Sequence, residues 1–106
     1  MAEAFKRNSV TAQTSQTAVL STVAANTQVV IIGLLASNKD IDLHEITVEI
    51  HDGANTYSYI TGAPLPVNSS LALIENKIVL MAGDSLLITA DANNAVDVTA
   101  SYLEMS

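Results

Sequence analysis

The stretch LHEITVEIH, residues 43–51, alternates strictly: Ile46, Val48 and Ile50 fall on one side of an extended chain, and Glu45, Thr47, Glu49 and His51 on the other. Side chains of a strand point to opposite faces in turn, whereas those of a helix recur every 3.6 residues, so this pattern predicts a strand with one face in a core and one in water. DGAN follows at 52–55, and Asp-Gly is a strong hairpin signal because glycine tolerates the positive φ of a tight turn. TYSYIT is then the returning strand. Residues 43–61 read as a β-hairpin, and a hairpin with one apolar face needs a second layer to cover it.

The same period recurs along the chain. TAVLSTV (17–23) and QVVIIGLLA (28–36) are joined by AANT. The second is apolar on both sides, which predicts either a central strand or one whose outer face another subunit covers, and Gly33 within it suggests a bulge or a close backbone approach. SNKDID (37–42) is a polar loop. GAPLPVNSS (62–70) reads as a crossover rather than a strand centre, since Pro64 and Pro66 lack a ladder donor and hold the residue before them extended. Beyond it come LALI (71–74), a turn at ENK, IVLM (78–81), a turn at AGD, SLLITA (85–90), the turn DANNA, and VDVTASYL (96–103), whose Val96, Val98, Ala100 and Tyr102 share a face.

Seven to eight short strands about a long crossover predict an all-β fold, a single-domain antiparallel β-sandwich of Greek-key or jelly-roll type, with immunoglobulin-like connectivity as the other arrangement. A chain of 106 residues supplies one core and no more. The sandwich is placed at 17–106. Residues 1–16, MAEAFKRNSVTAQTSQ, have few large apolar side chains and read as an N-terminal arm, mobile alone and ordered against a neighbour.

Charge narrows the function. Eleven acids against four Lys and Arg give a net charge of −7, the wrong sign for holding nucleic-acid phosphates. Lys6 and Arg7 share the first seven residues with Glu3 alone, so a slightly basic arm precedes an acidic body. Phe5, Lys6 and Arg7 are accordingly the candidates for partner contact, an apolar anchor beside two cations. VVIIGLLA is far shorter than the roughly 20 residues that cross a bilayer, and MAEAFKRN lacks the apolar centre of a signal peptide, so the chain is expected to be soluble and not exported through a cleaved leader. Hydrophobic residues make up 49% of the chain and charged ones 14%, which leaves weakly charged surface for burial against copies of itself.

Catalytic and metal-binding patterns fail one by one. Asp84 stands between two apolar runs, yet Gly83 beside it supplies the special backbone angle of a turn that Asp84 can cap, so both are read as structural turn residues. DANNAVD lacks the glycine and the terminal glutamate of a calcium-binding EF-hand loop; NKDID, with Asp40 and Asp42 beside Asn38, could hold calcium only weakly, since that ion takes six to eight oxygens, and is read as a solvated loop. His44 and His51 are seven positions apart on one strand and face opposite ways, which denies zinc a joint site; a surface His51 beside Glu49 follows. No serine sits in a Gly-x-Ser-x-Gly elbow, and cysteine is absent. No catalytic residue, metal or cofactor is expected. Tyr57 and Tyr59 share a strand face under strict alternation, which makes them a further candidate contact, for a protein partner or as a stacking platform for a glycan.

The succession GAPLPVNSSLALIENKIVLMAGDSLLITA followed by VDVTASYLE resembles small virion structural proteins of tailed bacteriophages, notably those of cyanobacteria and other aquatic bacteria. The shared features are a Gly-x-Pro-x-Pro crossover, a Lys-Ile-Val-Leu strand, an x-Gly-Asp turn and a final strand ending Ser-x-Leu-Glu, within residues 28–104. Asn68 stands where the resemblance implies a glycine. What it implies is a non-enzymatic particle component, made in the host cytoplasm and found in the virion: a capsid decoration (cement) protein, or else a neck, collar or tail accessory protein. Its partners would be the major capsid or neck and tail proteins and copies of itself, with no nucleic acid and no membrane. A receptor- or glycan-binding β-module is the alternative reading.

Overall fold

A computed structural model of the chain describes residues 3–74 and 77–106. Among these, the chain forms nine strands and no helix: β1 (Glu3–Thr11), β2 (Thr17–Leu20), β3 (Gln28–Asn38), β4 (His44–His51), β5 (Thr56–Leu65), β6 (Ser70–Ala72), β7 (Ile78–Leu80), β8 (Ser85–Ala90) and β9 (Val96–Met105). Eight lie within 17–106 and the ninth, β1, lies in the arm. The turn expected at ENK falls partly outside the described residues, at Glu75 and Asn76.

The strands pair as one long hairpin folded at its middle. β4 meets β5 across the 52–55 turn, β3 meets β6 and β7, β2 meets β8, and β1 meets β9, all antiparallel. Rolling that hairpin up brings β9 beside β3 and β8 beside β4. The outcome is two sheets, β1-β9-β3-β6 with β7 also on β3, and β2-β8-β4-β5. β7 takes Val29–Ile31 and β6 takes Leu35–Ser37, so the two act as one interrupted edge strand. With that strand counted once, the nesting is that of a jelly roll, which resolves the connectivity left open by the sequence.

The core lies where the alternating faces meet. Val29, Ile31, Leu34 and Ala36 of β3 and Val96, Val98 and Ala100 of β9 are buried, as are Ile46 and Val48 of β4 and Leu86, Ile88 and Ala90 of β8. Each fully buried Leu, Ile or Val side chain contributes about 1.5–3 kcal/mol over exposure. β3 keeps its inner face apolar by an irregularity. Ile31 faces Tyr102 and Gly33 faces Ser101, so Ile32 is an extra residue with no partner on β9. The bulge reverses the alternation, and Leu34, 2% exposed, turns inward while Leu35, 45% exposed, turns out. Gly33 marks the bulge rather than a close approach, since an added Cβ there would make only an ordinary 3.9 Å contact with Ser101.

The segment around Pro64 departs from expectation. β5 runs through Gly62, Ala63 and Pro64 to Leu65, with Pro64 facing Glu45 and Leu65 facing His44. The strand tolerates its proline because β5 is the edge of its sheet, where one side of the backbone has no ladder to complete. The crossover therefore begins at Pro66. Asn68 within it takes φ +52°, the left-handed conformation that asparagine reaches more readily than other non-glycine residues.

Candidate interaction surface and the His44 corner

The arm residues form a strand. Nine register pairs join β1 to β9, from Glu3 opposite Met105 to Thr11 opposite Asp97. The side chains from Glu3 to Ser9 are all exposed, so β1 extends a sheet while adding little to the interior. Lys6 is tied within its own chain, its Nζ 2.8 Å from Glu104 Oε1, and that carboxylate holds its pKa above the usual lysine value. Arg7 faces Ser101. Phe5 is 79% exposed and lies on the outer face of the sheet opposite Leu103.

Register extends that contact into a row. Leu103 also faces Val30 of β3, and Val30 faces Val79 of β7. Facing residues of paired strands share a side of the sheet, so Phe5, Leu103, Val30 and Val79 cross four strands on the outer face. Phe5 and Val79 are exposed and the two between them are half-buried by their neighbours. Ile32 and Leu35 add exposed apolar surface farther along β3. Such an apolar row on an outer sheet face is a candidate surface for association. Sequence reasoning foresaw the two-sided character of β3 but not the row, which exists only through pairings 49–98 residues apart along the chain.

Tyr57 and Tyr59 are both exposed on β5. Tyr57 faces Ile50, the inward side of the sheet, at the end of an edge strand. Ser58 faces Glu49 and Ile60 faces Val48, which makes Tyr59 an extra residue. That bulge interrupts the alternation that would set the two rings on one face.

At the 81–84 turn, the Asp84 carboxylate accepts the Met81 N–H at 2.8 Å, and the Asp84 N–H reaches Met81 O at 3.0 Å. Gly83 sits at φ +94°, and its N–H donates to Val23 O at 2.9 Å. The Asp84 carbonyl in turn accepts from Val23 N–H at 2.8 Å, fastening the turn to the segment between β2 and β3.

The opposite end of the sandwich holds an arrangement that the sequence reading missed. His44 shares a face with Ile46 and Val48 and is 7% exposed. Its Nε2 lies 2.8 Å from Asp40 Oδ2 and its Nδ1 2.9 Å from Asp91 Oδ1. Only the doubly protonated ring can donate from both nitrogens, so the two carboxylates favour the imidazolium and raise the pKa above the ordinary histidine value, the Asp40 hydrogen bond acting most strongly. The same bond, helped by the Ile41 N–H, lowers the pKa of Asp40. Asn38, 2% exposed, ties the corner together from beneath. Its amide donates to Asp42 O and Leu65 O, and its carbonyl accepts the Asp40 N–H. With both ring nitrogens occupied, His44 has no free atom with which to act as a general base. Among the described residues, no group of three or more His, Cys, Asp or Glu is placed to hold a metal ion. The overlooked signal was a polar residue in phase with a core-facing alternation, which demands buried partners.

The sequence matches no family model and no curated protein. Among solved structures the chain is similar to one described under "Bacillus endospore appendages form a novel family of disulfide-linked pili", with a TM-score of 0.59 and 11% identity over 99% of this chain and 87% of that one. It is also similar, with a TM-score of 0.48 and 19% identity over 91% of this chain, to a pentameric capsid protein isolated from metagenomic phage sequences, of which it spans 59%. At 11% identity the likeness to the appendage chain is one of fold.

Proposed function

We propose that the protein is a non-enzymatic structural component of a tailed-phage virion, a capsid decoration (cement) protein or else a neck, collar or tail accessory protein, binding other virion proteins and copies of itself. The observation that carries this reading is the apolar row Phe5, Leu103, Val30 and Val79 on the outer face of a sheet in a chain with few charges. A free-standing monomer would leave that surface in water at a cost of about 25 cal/mol per Å² of apolar area. A component that repeats on a particle covers it. The jelly roll itself serves both capsid and lectin domains, so the fold alone decides nothing between them. The virion side is favoured by the phage-like succession from Gly62 to Glu104. The appendage chain that shares the fold belongs to disulfide-linked pili, and this cysteine-free chain has no thiol with which to form such links.

Mass spectrometry of heads and tails separated from the producing phage tests the reading, with the protein expected at stoichiometric level in one fraction. Its absence from both refutes the proposal. Glycan binding by the isolated protein, lost on changing Tyr57 and Tyr59 to Ala, would replace it with the receptor-binding alternative. On particles, deletion of residues 1–7 is expected to lower occupancy.

A further inference from the structure

We propose that β1 is the contact through which two copies of this chain pair, antiparallel about a two-fold axis at Phe5, joining their β1-edged sheets into one. The edges of the sandwich differ in ways that bear on this. β5 carries Pro64 and bulges at Tyr59 and at Gly62, where φ is +63°; β2 spans four residues with a register shift; β6 and β7 span three residues each. Proline, bulges and short length are the devices that keep sheet edges from pairing. β1 is different, with nine residues in unbroken register and no proline.

The free hydrogen bonds of β1 have a definite phase. Ala12, next after β1, donates its N–H to Val96 O at 2.8 Å. Antiparallel ladders alternate, so even-numbered residues turn their backbone groups toward β9, and Glu3, Phe5, Arg7, Ser9 and Thr11 present theirs at the open edge. Their side chains lie on the outer face with Phe5. A symmetric pair must set outer face beside outer face, so odd residues meet odd residues, and the axis passes through a residue rather than between two.

Charge then selects the residue. An axis at Lys6 sets the two Lys6 side chains opposite each other and Phe5 opposite Arg7. An axis at Arg7 opposes two guanidinium groups, and one at Asn8 leaves every charge of β1 without an opposite charge across from it. With the axis at Phe5, Glu3 of each copy faces Arg7 of the other, the two rings meet, and Lys6, already bound to Glu104, stands opposite Ala4. The apolar row then continues from Phe5 into the second copy. The pairing gives the proposed virion component a dimeric unit and rests on that reading for its purpose, but the isolated chain suffices to test it.

Sedimentation equilibrium of the full chain from micromolar to millimolar concentration is expected to show a monomer–dimer equilibrium. Arg7→Glu makes both symmetry-related pairs repulsive and is expected to weaken the dimer about tenfold. Glu3→Arg should do the same, while the two changes together restore affinity to within about threefold of wild type. Single cysteines in this cysteine-free chain read the register. Position 5 faces itself with Cα atoms about 5.5 Å apart, within disulfide range. Phe5→Cys is therefore expected to oxidise to a covalent dimer and Ser9→Cys to remain reduced. A monomer at every concentration, a dimer that Arg7→Glu leaves intact, an exchange that fails to restore affinity, or cross-linking at position 9 as fast as at position 5 overturns the proposal. Those outcomes leave the virion reading standing, and absence from virions leaves the dimer standing.

Discussion

Asn38 closes the His44 end of the sandwich from below, and removing its amide should cost more than any surface change on the chain. The side chain donates to Asp42 O at 2.8 Å, to Leu65 O at 3.0 Å and, less well, to Pro66 O at 3.3 Å, and it accepts the Asp40 N–H at 2.9 Å. One residue thus joins the end of β3 to the 39–43 loop and to the start of the crossover. In Asn38→Ala the outer groups can turn to water, but the Leu65 carbonyl is left buried without this donor. At about 1 kcal/mol for each good hydrogen bond, and more for a buried group left unsatisfied, the loss comes to about 2–4 kcal/mol. That is a large share of the roughly 5–15 kcal/mol that holds a domain folded. Asn38→Asp sharpens the test, because an isosteric carboxylate replaces the donor with an oxygen aimed at carbonyl oxygens. It should destabilise at least as much as alanine at neutral pH and recover in part once acid protonates it. Urea unfolding followed by far-ultraviolet circular dichroism measures both. A loss below about 1 kcal/mol for Asn38→Ala, or a milder effect for Asn38→Asp than for Asn38→Ala, would refute the idea that the amide organises this corner.

Three other outcomes follow from the geometry. The pKa of His44 is raised above its ordinary value of 6.5, so its contribution is complete below that value and is lost as pH rises through the folded one; the pKa of Asp40 is lowered from 3.8, so its contribution holds above 3.8 and is lost as pH falls through its folded value. The urea midpoint should therefore be highest between those two limits and decline as pH rises above the upper one, and His44→Gln should remove that first decline. Gly83→Val places a β-branched residue at φ +94° and should cost more than Asp84→Ala, which gives up the Met81 hydrogen bond for about 0.5–2 kcal/mol; denaturant titration ranks the two, and the reverse order would mean that Asp84 does more than close its turn. Deleting Ile32, the residue of β3 without a partner on β9, should leave a cooperative thermal melt, whereas deleting Leu35 turns Ala36 and Asn38 toward solvent and should abolish it.

Much of the fold was legible because its signals are local. The Ile46, Val48, Ile50 alternation and the Asp-Gly turn lie within a dozen residues, and the 44–65 hairpin forms around them. Where the reading failed, the deciding contact was remote. Pro64 reads as a strand breaker unless β5 is known to be an edge, and edge position depends on β4 having β8 as its other neighbour. The inward turn of Leu34 depends on a bulge that Gly33 hints at without giving its direction. Tyr59 leaves the alternation for the same reason, with no glycine beside it to give warning.

The site was legible in proportion to how much of it one strand carries. Phe5, Lys6 and Arg7 are adjacent in sequence, and their grouping as an apolar anchor beside two cations could be seen at once. What the structure adds is that Lys6 already has its carboxylate, in Glu104, while Phe5 and Arg7 share the outer face, so the three do not act as one basic patch. His44 shows the opposite case. Asp40 read as part of a solvated loop and Asp91 as part of another, 47 residues from the histidine they flank together with it. Local pattern can show that a buried histidine needs partners, but only the rolled hairpin, which sets the start of β4 beside the end of β8, determines that Asp91 is one of them. The same nesting separates the two regions. It gathers the loops that follow β3 and β8 into a polar corner at one end and leaves Phe5 near the other, so changes at the corner should alter stability without reaching the edge proposed for pairing.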